Sequence, residues 1–76
     1  MANYLEQTGT KQQLITWFTA ESDKITTQMP LYLRPAVLGM IELLLTDFPY
    51  RLFVAWRYES HGMCDFQVHL TIPHEE

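Results

Sequence analysis

Cysteine, glycine and basic residues are all scarce in this chain of 76 residues: one, three and five respectively. The lone Cys64 rules out an internal disulfide and with it the stapled, secreted mini-protein class. Gly9, Gly39 and Gly62 are isolated, so no glycine-rich loop can cradle a phosphate. Five Lys/Arg against nine Asp/Glu leave a net charge of −4. That argues against non-specific binding to nucleic acid or anionic membrane, since both need a cationic surface. No apolar run reaches the ~20 residues of a membrane span. The opening MANYLEQTGT also lacks the basic-then-apolar pattern of a secretory signal. The cytoplasm is the expected location. Residues 1–76 make one domain, near the size where a single core yields only a few kcal/mol of stability and leaves no room for a deep cleft.

What is present is apolar and aromatic residues, 47% and 13% of the chain, enough for a folded domain. The organising stretch is Arg34 to Asp47, RPAVLGMIELLLTD. It reads as a helix with apolar side chains on more than one face and only a narrow line of Pro35, Gly39, Glu42 and Thr46 between them. Such a helix should be nearly enclosed, either by the rest of the chain or partly by a second chain. Pro35 suits its first position, and Pro49 biases Phe48 away from helix, so the helix should stop there.

Upstream, Thr10 and Gln13 match a capping box. Leu14, Trp17, Phe18, Glu21 and Ile25 then follow one helical face to about Thr27. Asn3-Tyr4-Leu5 reads as a frayed start, an added turn or a short edge strand. Between the helices, Leu31, Tyr32 and Leu33 are bulky for a connector. They either tuck under the core or form an apolar lip.

After Pro49 the period changes from 3.6 to 2. Tyr50–Glu59 and Met63–Ile72 read as strands joined by Ser60-His61-Gly62, a three-residue loop with Gly last, as a type I turn with a G1 bulge requires. Placing Glu59 opposite Met63 sets Tyr58, Trp56, Val54 and Leu52 beside Cys64, Phe66, Val68 and Leu70 on one greasy face. The other face pairs Arg57 with Asp65, Ala55 with Gln67, Phe53 with His69 and Arg51 with Thr71. Turn, alternation and charge agree on this hairpin. The expected fold is α+β: two helices on one face of an antiparallel hairpin, in the order α-α-β-β with an optional N-terminal strand, and dimeric through a shared sheet edge or helix.

Chemistry-bearing residues do not converge. His61, Cys64, His69 and His74 match no zinc spacing, and alternation sets Cys64 opposite His69, which also disposes of a nucleophilic dyad. Asp65 and His69 share a face but stand ~13 Å apart. Glu42 sits on the one solvated line of its helix. Arg51, Phe53 and Arg57 resemble a base-stacking platform only superficially, because Glu59 and Asp65 share that face and no basic helix accompanies it. No catalytic residue, metal or cofactor is expected.

A protein-binding surface remains. Arg51, Phe53, Arg57, Met63, Gln67 and His69 should project together from the open sheet face, with Leu31 and Tyr32 as a second apolar region. The expectation is a non-enzymatic module that occupies a surface of another protein, a basic one on charge grounds. Inhibitors, immunity factors, phage or plasmid counter-defence proteins and small adaptors work this way. The alternatives are a self-associating homodimer with no other partner and, behind it, an enzyme with a site between subunits.

Overall fold

The computed structural model of the chain describes residues 3–26, 28–59 and 64–72. In chain order the elements are β1 (Asn3–Gly9), α1 (Lys11–Lys24), α2 (Leu33–Glu42), β2 (Tyr50–Tyr58) and β3 (Cys64–Thr71). They form an α+β domain whose antiparallel sheet runs β1-β2-β3. The β2–β3 register is the one that the short loop implies, from Tyr58 opposite Cys64 to Arg51 opposite Thr71. The loop itself, with His61 and Met63, lies outside the described residues.

The start of the chain corrects the α-α-β-β order. Asn3-Tyr4-Leu5 opens a full strand that pairs with the second edge of β2, from Asn3 opposite Trp56 to Gly9 opposite Tyr50. A hairpin alone would leave that edge of backbone N–H and C=O groups open. β2 is therefore central. Its inward residues Leu52, Val54 and Trp56 are buried, and they meet Leu14 and Phe18 of α1 and Leu33, Val37 and Ile41 of α2 in one core.

α1 begins where the capping box predicts. The Gln13 amide donates to Thr10 Oγ1 at 3.4 Å, and the Thr10 amide donates to Gln13 Oε1 at 2.9 Å. Its buried line is Leu14, Phe18 and Ser22. Ser22 satisfies its hydroxyl on the Thr19 carbonyl at 3.1 Å. The helix ends at Lys24, short of Thr27, as the β-branched Ile25 and Thr26 disfavour propagation.

α2 departs from expectation at both ends. It starts at Leu33, so Arg34 is helical and Pro35 is the third helical residue. The amides of the first turn have no intrahelical acceptor, so proline loses no hydrogen bond there. It stops at Glu42, five residues before Asp47. Leu43 and Leu44 close it with tight bonds to the carbonyls of Met40 (3.3 Å) and Ile41 (3.1 Å). Lys11 Nζ then donates to the carbonyls of Glu42 (2.9 Å) and Leu44 (3.0 Å), a cation at the negative end of the helix.

Nor is α2 enclosed. Leu33, Val37 and Ile41 are buried, but Met40, Leu43 and Leu45 face solvent, Leu45 at 97% exposure. The connector divides: Met29 and Leu33 tuck into the core, and Leu31 and Tyr32 form the lip. The indole N–H of Trp56 reaches the Gln28 carbonyl at 2.6 Å and ties the connector to the sheet.

Replacing Lys11 by Met should lower the unfolding free energy by about 1 kcal/mol in urea titration, since two helix-end carbonyls lose a charged donor. Phe18→Ala, which empties the middle of the only core among the described residues, should cost about 3–5 kcal/mol. In a domain this small, most of the circular dichroism signal should then be lost at 37 °C.

Candidate functional site

Strand alternation sends one set of side chains away from the helices on all three strands. On β2 these are Arg51, Phe53, Ala55 and Arg57, and on β3 Asp65, Gln67 and His69. β1 adds Tyr4, Glu6 and Thr8 to the same face. Phe53 stands at the centre of a row that crosses the sheet, stacked on Tyr4 with centroids 6.0 Å apart and tilted against His69 at 6.2 Å. Large rings carried on paired strands lose little freedom when a partner covers them, because the sheet already sets their direction.

Charges flank the row as pairs. Arg51 is held by Glu6, its Nη2 2.6 Å from Glu6 Oε2. Arg57 is opposite Asp65 in register, yet its guanidinium binds Glu59 at 2.7 Å. The expected cross-strand ion pair is thus replaced by one along the strand. That hydrogen bond to Glu59 and the Glu59 charge hold the Arg57 guanidinium above its ordinary range. Glu6, Arg51, Phe53, His69 and Thr71 line a shallow hollow of about 350 Å³. It is an open depression suited to a protruding side chain.

Of the residues expected to bind, Arg51, Phe53, Arg57, Gln67 and His69 share this face; Met63 lies outside the described residues. Leu31 and Tyr32 stand elsewhere, at the head of α2 on the helix side of the sheet. The sheet face and the Leu31–Tyr32 region are thus two separate surfaces, on opposite sides of the sheet. Tyr4 and Glu6 escape sequence reading because their place depends on β1 pairing with β2. The only hint is that Tyr4 and Glu6 flank the apolar Leu5 with the period of a strand.

The second surface is apolar. Tyr32 meets Phe66 edge-on at 5.7 Å. Partial burial there, followed by its neighbour Cys64, holds the Tyr32 phenol above its ordinary range. Phe66, expected in the core, stays substantially exposed, and so does Tyr58. Two short helices cover the inward row of β2 and only part of that of β3. Cys64 and His69 point to opposite faces, and among the described residues no three His, Cys, Asp or Glu side chains could hold a metal ion. Among the same residues no helix is long and apolar enough to cross a membrane.

Compared with known protein families, curated proteins and solved structures, the chain matches none. The two surfaces therefore stand on their own chemistry.

The aromatic row can be weighed directly. A double-mutant cycle of Tyr4→Ala and Phe53→Ala, followed by urea denaturation, should give a coupling energy of about 0.5–1 kcal/mol. The Arg51–Glu6 pair is exposed and should give less, about 0.5 kcal/mol, falling further in 1 M salt.

Proposed function

We propose that the chain is a non-enzymatic protein-binding module that acts by occupying a surface of another protein, as inhibitors, immunity or counter-defence proteins and small adaptors do. The observation that carries this reading is the Tyr4–Phe53–His69 row on the open sheet face, set between Arg51 and Arg57. Aromatic and arginine side chains are the usual anchors of interfaces. Here the rings fill the centre of the face and the charges its rim, the distribution a desolvated contact needs. Both arginines already rest on carboxylates of their own chain, so they can exchange one acidic partner for another without being left unpaired. With a net charge of −4, the chain is steered towards a basic partner, and the effect is on the rate of encounter more than on affinity.

Self-association is the second reading, favoured by the exposure of Met40, Leu43 and Leu45 beyond what the fold covers. Either the helix surface or a sheet edge would serve it. It is compatible with the first reading, because the two surfaces lie on opposite sides of the sheet.

Phe53→Ala combined with Arg57→Ala should leave the far-ultraviolet circular dichroism unchanged. The same double variant should weaken capture of the partner by the tagged protein at least about thirtyfold, the loss that ~2 kcal/mol of anchor energy produces. Undiminished capture by the folded double variant would remove the open sheet face as the binding site.

A further inference from the structure

We infer that a second copy of the chain docks along α2, on the flank formed by Tyr32, Ala36, Met40 and Leu43, above the partly covered inward row of β3. This gives the self-association reading a definite surface and rests on it.

Two contacts orient the helix. Arg34 Nη1 binds Asp23 of α1 at 2.7 Å, so that flank of α2 faces α1. Tyr32 lies against Phe66, so the opposite flank faces β3. At 100° per residue, Ala36, Met40 and Leu43 fall on that opposite flank. No charged side chain interrupts it. Below it, the inward row of β3 continues the apolar surface through Phe66, Val68 and Leu70, and Ile72 just past the strand's end extends it; none of the four is fully buried. Tyr32, Leu43, Phe66 and Ile72 are 51%, 78%, 42% and 65% exposed. With Met40 and the partly covered Val68 and Leu70 they present roughly 600–800 Å² of apolar surface, close to the ~800 Å² that each partner of a stable interface contributes.

The order of side-chain sizes selects a second copy. Along the flank, Tyr32, Met40 and Leu43 are large, and Ala36 and Gly39 are small. A two-fold axis midway along the helix sets Tyr32 of one copy against Leu43 of the other, Met40 against Pro35 and Ala36 against Gly39. Large ends thus meet on either side of an Ala36–Gly39 crossing that lets the two backbones approach. An isologous contact requires this self-complementarity. Packing among the described residues does not call for glycine at Gly39, since a Cβ added there would meet nothing within 4 Å, although glycine costs a helix interior about 1 kcal/mol. An axis normal to the sheet also sets the two β3 edges antiparallel, the orientation in which their free backbone groups can pair.

Gly39→Lys tests this surface. In one chain the new side chain has space, lies three residues before Glu42 and raises helix propensity, so circular dichroism should show a folded and more stable domain. In the dimer it drives two ammonium groups into an apolar centre. Sedimentation equilibrium of the wild type at micromolar concentration should give twice the chain mass of 9.0 kDa. The folded variant should sediment at the single-chain mass, with self-association weakened about a hundredfold or more. A wild type that dimerises and a folded variant that dimerises equally well would overturn the α2 interface and leave self-association standing. A monomeric wild type would overturn both.

Discussion

Burial of the Leu52–Val54–Trp56 row is the constraint on which the rest of the structure depends. These residues come from the one strand that is paired on both edges, and their side chains are the floor on which α1 and α2 meet. The row holds each neighbour by a different means. β1 is held by backbone pairing, β3 by a short connection and a matching register, and the helices by Leu14, Phe18, Leu33, Val37 and Ile41. Trp56 does two tasks, since its ring closes the core and its N–H fastens the connector between the helices. A domain of this size has no second core to fall back on.

The same economy explains the surfaces. A strand spans about 3.3 Å per residue and a helix about 1.5 Å, so helices of 14 and 10 residues fall short of the length of the nine-residue central strand and cannot roof the whole sheet. They close over β2 and leave the inward row of β3 only partly covered and one flank of α2 open. On the far side no described element roofs the sheet, and there the sequence places rings and paired charges instead of a greasy row. Apolar and uncharged on one side, aromatic and mixed on the other, the two sides suit different kinds of contact. Under the proposed readings, the face without charges would serve a permanent neighbour and the face with ion pairs a partner that arrives and leaves.

Much of this was legible in the chain. The Thr10–Gln13 box marked the start of α1 because capping is local chemistry between residues three apart. The hairpin register could be read because a short loop, strict alternation and the positions of Arg57 and Asp65 all constrain the same alignment. Three details differ from what the chain alone implies. Arg57 found Glu59 nearer than Asp65. Pro35 suits a first helical position, yet the helix begins two residues earlier, because the first turn's amides have no intrahelical acceptor to lose. The apolar run after Ile41 implies more helix, yet the chain turns at Glu42 to enter β2, and Lys11, far away in sequence, caps that turn.

Periodicity, caps and turn residues therefore determined which segments are helix or strand and which side of each is apolar, because those signals act between residues a few positions apart. Whether an apolar side is covered was decided only in the tertiary structure. Tyr4 joins Phe53 because β1 takes the free edge of β2, and Leu43 stays in solvent because no element of the described fold reaches it. An exposed leucine and a buried one carry the same letter in the chain; what separates them is the geometry of elements distant in sequence, set by how much area short helices can cover.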